Sequence, residues 1–361
     1  MIVYINKELD LIPDYLDKSK LPSLDGLRAI SIIFVIIHHI YFYEKFWTND
    51  IDLGRIGVHI FFVISGFLIT TLLIKEKISN GNINLKSFYI RRAFRILPVL
   101  FLFLFTLMLL NKLFSLEISG LSFFTSFFFL GNLGIDTNET WYTGHFWSLA
   151  IEEQFYLIFP FLLYKLDIKI YRNVLILLIL IIPVLNSLYW SNSPLFHSSK
   201  SIEQLAFIVA TWFSQGTLAI LAGSLCSIFA FNYPNTVKNL LQFKWLSLLV
   251  FFSALFVRIQ FPESSFVLLI FDFLIGIVII INLSKDSYFT IALDNFIMVR
   301  IGILSYSLYV WQQIFTNNQP WMSSFNSADN IFLNLFFLFV VGFISYEYFE
   351  KRFISMRKRF L

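Results

Sequence analysis

Ionisable residues are scarce in the apolar stretches of this chain, and their types and spacing suggest a site rather than a lipid-facing surface. In Leu24–Asp25–Gly26–Leu27–Arg28, running on to His38–His39, Arg28 and His39 lie eleven residues apart. That is close to three helical turns, so one helix face carries both, with His38 about 80° away around it. His59 sits near the start of the next apolar run, where an imidazole can hydrogen-bond or titrate. Further on, Arg91 and Arg95 share a helix face, and Arg92 and Arg95 are neighbours at i, i+3. Guanidinium forks favour bidentate contacts with phosphate, which suggests a site for a phosphorylated ligand. A topogenic cluster lying against anionic lipid explains the same arginines equally well.

Another segment begins His145–Phe146–Trp147–Ser148 and carries the adjacent carboxylates Glu152 and Glu153. Two carboxylates about two turns inside a membrane helix are expensive, and one of them suits an acid, base or histidine-orienting role. Glu152 is the preferred member, and Glu153 equally fits snorkelling or lining another cavity. Ser65–Gly66 reads as a close helix contact, and the single Cys226 as a packing residue. Asp272, Gln215 and Glu347 read as packing, capping or interfacial groups.

Hydrophobic residues make up 58% of the 361 and charged residues 14%, with 46 phenylalanines. A soluble domain carries about 25% charged residues, so too little polar material is present to coat a water-facing surface. No arginine-rich stretch stands apart from a membrane segment, which argues against nucleic acid as a partner. The runs predict an all-α integral membrane protein, a bundle of about ten transmembrane helices. Their expected bounds are 27–44, 56–75, 96–113, 146–164, 173–190, 205–231, 244–260, 265–283, 299–317 and 331–349. Residues 118–130 are apolar but short, and read as a re-entrant or interfacial helix.

With the N-terminus inside, this count puts 21 of the 27 lysines and arginines on the cytoplasmic side and five outside, with Arg28 at a helix start. Both termini are therefore expected in the cytoplasm. Residues 1–23 read as a cytoplasmic arm without the pattern of a cleaved leader, 24–352 as the membrane domain, and 353–361 as a basic tail. No appended catalytic domain is expected after the last of these spans. At 1.5 Å per residue, His39 stands about 16 Å beyond Arg28, and Glu152 lies at a similar depth in the outer half of the membrane.

Together these segments resemble membrane acyltransferase family 3, the family of O-antigen and exopolysaccharide O-acetyltransferases. The resemblance runs from Leu24 to about Arg352. It rests on Leu24–Ile30 with His39, Phe61–Ile69, Arg92 with Arg95, Trp147–Tyr156 and Ile303–Trp311. It implies acyl transfer, usually acetyl from cytoplasmic acetyl-CoA, to a hydroxyl of an outer saccharide or lipid-linked glycan. His39 and Glu152 are the expected catalytic residues, His39 as general base or proton shuttle. Arg28, Arg91, Arg92 and Arg95 are expected at the coenzyme, and His59, His145, Trp147 and Ser148 at the acceptor. No metal is expected. The implied location is a bacterial cytoplasmic membrane, with membrane lipid as a partner and no particular oligomeric state. Two positions depart from the family pattern: His59 stands where many relatives carry aspartate, and Gln312 where a histidine is common. The competing reading is a transporter or flippase of a lipid-linked saccharide.

Overall fold

The computed structural model describes residues 11–40, 52–136, 140–191, 199–212, 214–262, 264–322, 324, 328 and 330–360. Residues 1–10 of the expected arm and 41–44 of the first expected span lie outside the described residues. Among the described residues every regular element is helical. α1 (Leu24–His39), α2 (Leu53–Asn80) and α3 (Leu85–Phe114) precede the short α4 (Gly120–Phe127) and α5 (Trp141–Gly144). Next come α6 (Phe146–Lys165), α7 (Ile168–Trp190), α8 (Lys200–Trp212), α9 (Gln215–Asn232) and α10 (Pro234–Leu240). α11 (Leu246–Gln260), α12 (Ser265–Ile281), α13 (Tyr288–Leu293), α14 (Phe296–Thr316) and α15 (Ile331–Ile344) follow. A π-helical turn (Ser345–Glu350), α16 (Lys351–Met356) and a 3-10 turn (Arg357–Arg359) continue from α15.

Among the described residues, five stretches are long and apolar enough to cross a membrane: Leu53–Asn80, Leu85–Phe114, Trp141–Lys165, Ile168–Tyr189 and Ile331–Arg359. The chain is thus an all-helical, multi-pass membrane protein. The other expected spans differ for identifiable reasons. The span expected over 205–231 divides into α8 and α9, while α11 and α12 are apolar but short, at 15 and 17 residues. α14 has the length, at 21 residues, but carries the polar Ser305, Ser307, Gln312 and Gln313. α4 has eight residues, capped by Ser119, and is too short to span. Large apolar side chains stand exposed on α3 (Phe101, Phe105, Met108) and α7 (Leu177, Leu180, Val184). Such faces drive association in water and are at home in hydrocarbon.

The residues form two compact units. The first comprises Met1–Arg28, His59–Ile83 and Gln154–Val299. In it α2 and α9 meet backbone to backbone: a Cβ at Gly66 would lie 1.9 Å from the Ile220 carbonyl oxygen, and one at Gly223 2.1 Å from that of Val63. Small residues allow this approach, and hydrogen bonds then join the helices. Ser224 Oγ donates to the Gly66 carbonyl at 3.3 Å, and the Thr71 and Ser227 hydroxyls pair at 2.8 Å. The Ser65–Gly66 expectation of close contact therefore holds. α12 packs on α9 and α11, with Gly276 against the buried Cys226. The described part of the expected arm is folded onto this unit, because Tyr15 donates to the Ala230 carbonyl at 2.6 Å and Lys18 to that of Leu283 at 2.8 Å.

The second unit comprises Ala29–Val58, Asn84–Glu153 and Arg300–Leu361. Here Gly57 brings α2 against α1, a Cβ there lying 2.5 Å from the Ser31 carbonyl oxygen. The π-helical turn, α16 and the 3-10 turn pack along α3. A π-helical turn takes more residues per turn than the α-helix, so it re-aims the side chains that follow. Its last residue, Glu350, is buried.

Candidate functional site

At the end of α1, the His39 ring stands edge-on to Trp141 of α5 at 5.4 Å and to His38 at 5.2 Å. Its Nδ1 lies 2.9 Å from the Val35 carbonyl oxygen. A carbonyl only accepts, so Nδ1 carries the hydrogen and Nε2 is left as the basic nitrogen. Trp141 is held by its indole N–H, which donates to the Gln313 carbonyl at 2.8 Å, and its neighbour Tyr142 donates to that of Asn318 at 2.5 Å. His38 turns to Asp52, 3.7 Å away, and packs on Gly54.

His145 lies between α5 and α6, within electrostatic range of His39. It is buried against Phe103 at 5.6 Å, Phe146 at 4.3 Å and Tyr309 at 5.6 Å, and Phe103 in turn meets Trp311. The Ser148 and Tyr309 hydroxyls lie 2.5 Å apart, and both reach the His145 carbonyl, at 3.0 and 3.2 Å. Ser148 is therefore engaged in fixing the start of α6. The Trp147 backbone amide closes on Gly131 of the preceding loop. Gln312 is fully buried, donating to Gln313 Oε1 at 2.6 Å and accepting from Thr316 at 3.2 Å.

Eight residues along the chain from His145, roughly 12 Å at helical rise, a second polar group forms on the same unit. Glu153 has Glu152, Arg92 and Arg95 as its electrostatic neighbours. Glu350 joins from the π-helical turn: Ser307 donates to its Oε2 at 2.9 Å, and Arg95 lies within electrostatic range. Tyr306 faces the same carboxylates and donates to the Ile96 carbonyl at 2.8 Å. Buried carboxylates persist when cations and hydrogen bonds meet them, and this cluster supplies both. α3 and α6 thus each carry aromatic groups at one level and charged groups at the other, while α14 carries Tyr309 and Trp311 at one and Tyr306 and Ser307 at the other.

The remaining expected site residues, Arg28 and His59, fall in the first unit. Arg28, in the first unit, lies 3.1 Å from Asp25, which also pairs with Lys20 at 2.6 Å. His59, also in the first unit, is buried with Asp272, Nδ1 to Oδ1 being 2.8 Å, and Arg258 lies within electrostatic range of that carboxylate. Asp272 is thus the partner of His59 rather than an isolated packing group. Sequence reasoning missed Glu350, Tyr306 and Trp141. Glu350 falls one position beyond the last expected span, and a carboxylate continuing an apolar helix was the signal available for it.

A family profile described as an acyltransferase domain matches residues 21–347. The chain is 32% identical over 316 residues to the peptidoglycan O-acetyltransferase OatA of Listeria monocytogenes, covering 80% of this chain and 48% of that protein. It is 40% identical over 164 residues to a protein of Staphylococcus aureus (strain COL) provisionally named an O-acetyltransferase, covering 42% of this chain and 26% of that one. The chain spans about a quarter to a half of the length of these curated relatives. No solved structure is a significant match.

Proposed function

Because the chain belongs to the acyltransferase domain family, we propose that it is a membrane-embedded O-acetyltransferase of a bacterial cytoplasmic membrane. It takes acetyl from acetyl-CoA inside and esterifies a hydroxyl of an envelope saccharide outside. The observation that carries this reading is the pairing, within one unit, of the His39–Trp141–His145 group with the arginine–carboxylate group of Arg92, Arg95, Glu153 and Glu350. An extended thioester arm suits the separation between the two. The reading includes ten spans with both termini inside, which keeps the arginines on the donor's side of the membrane.

In this mechanism His39 Nε2 accepts the proton of the acceptor hydroxyl as its oxygen attacks the thioester carbonyl. The Val35 carbonyl holds the ring in the required tautomer. The carbon–sulfur bond breaks, and the imidazolium returns its proton to the departing thiolate, so charge balances within one turnover. Arg91, Arg92 and Arg95 hold donor phosphates and Glu152 supports the polar interior. His145 and Trp147 border the acceptor, with Ser148 bracing them. The relative from Listeria monocytogenes named a peptidoglycan O-acetyltransferase makes peptidoglycan the first acceptor to test.

The test is reconstitution in proteoliposomes with isotopically labelled acetyl-CoA and peptidoglycan fragments. An alkali-labile acetyl ester, located by mass spectrometry, is the expected product. Movement of a lipid-linked saccharide across the bilayer with no ester formed would replace this reading by transport.

A further inference from the structure

The expected basic tail is not a free chain end. The ring of Phe360 rests on that of Phe94, with centroids 5.2 Å apart, and the 3-10 turn Arg357–Arg359 packs along α3. Phe94 lies between Arg91 and Arg95 in sequence, and Phe360 follows Arg357 by three residues. The ring contact therefore lays Arg357 alongside the two α3 arginines. Arg357 is half-buried there, while its neighbours Lys358 and Arg359 are exposed. Arg91 and Arg95 both act on its charge. Three guanidiniums brought together by packing repel one another, and a multiply charged anion relieves that repulsion. Arg95 also faces the interior carboxylates Glu153 and Glu350.

We propose that Arg357 of the tail completes, with Arg91 and Arg95, a binding site for a phosphate-bearing ligand. The proposal rests on the donor-side reading above and adds to it a residue outside the membrane domain expected from sequence. Planar guanidinium forks suit the oxygens of a phosphate better than those of a carboxylate monoanion, because a phosphate presents more charge and more acceptors. The same chemistry is offered by a soluble phosphorylated nucleotide and by an anionic lipid headgroup, and the experiment separates them.

The full-length protein is placed in nanodiscs of phosphatidylcholine or of phosphatidylglycerol. Coenzyme A without an acyl group is titrated calorimetrically in the first, and bound lipid is counted by native mass spectrometry in the second. Arg357→Gln should weaken coenzyme A binding about tenfold, while Arg359→Gln, an equal loss of formal charge, leaves it unchanged. Phe360→Ala keeps all three arginines but frees the tail, and should weaken binding in the same direction; it carries the test if Arg357→Gln fails to fold. Loss confined to phosphatidylglycerol retention supports the site with lipid as its ligand. If the Arg357 and Phe360 variants match the intact protein in both arms, or Arg359→Gln is as damaging as Arg357→Gln, the proposal is overturned. Binding is read without turnover, so failure to form an ester would sink the acetylation reading and leave this one standing.

Discussion

His39 and His38 are adjacent in sequence but differ in what surrounds them. His39 has one nitrogen committed to the Val35 carbonyl and its ring edge-on to Trp141, whereas His38 faces Asp52 and the start of α2. His39→Ala should lower acetyl transfer by about a hundredfold or more, the usual span for a lost general base. His38→Ala should be milder, with both proteins inserted and folded; equal losses in an acetyl-release assay would count against His39 as the base. Glu350 was hidden in the sequence because a carboxylate just past an apolar run resembles an interfacial group. Its burial against Ser307 and Arg95 gives it weight. Glu350→Ala removes the acceptor of Ser307 and a counter-charge of Arg95, and should cost about 3 kcal/mol of stability. Glu350→Gln, which can still accept from Ser307, should cost less, as thermal unfolding in detergent would measure.

Helices in a membrane gain little from hiding apolar surface, so their contacts depend on how closely backbones approach. Among the described glycines, the tightest such approach is the α2–α9 crossing at Gly66 and Gly223. Gly223→Val forces a Cβ to within 2.1 Å of the Val63 carbonyl oxygen, so the helices must separate at a cost of about 1–3 kcal/mol. Gly120→Ala meets nothing within 4 Å and should leave the melting temperature unchanged; similar shifts in both would argue against the crossing. The Ser65–Gly66 pair announced this contact, but its partner helix was not readable. Nothing in Gly223 alone distinguishes it from other glycines of apolar runs.

For the molecule as a whole, the orientation expected from the positive charges remains the testable claim. In a Cys226→Ala background, Ser355→Cys should react with an impermeant maleimide only after the cells are opened. Glu117→Cys, exposed in the loop between α3 and α4, should react in intact cells. The reverse pattern would invert the topology and detach the arginine cluster from the cytoplasmic donor.

Composition and apolar run length were enough to read a helical membrane protein, since hydrocarbon permits few other ways of satisfying the backbone. Helical spacing was enough to read Arg92 with Arg95, which share Glu153 as a neighbour, because such a pair depends only on the turn of one helix. Contacts between residues distant in the chain follow no such period. Asp272 meeting His59, Glu350 joining Arg95 and Ser307, and Phe360 seating the tail on Phe94 arise from helix crossings and a π-helical turn. Packing sets those, so they became visible when the helices were assembled.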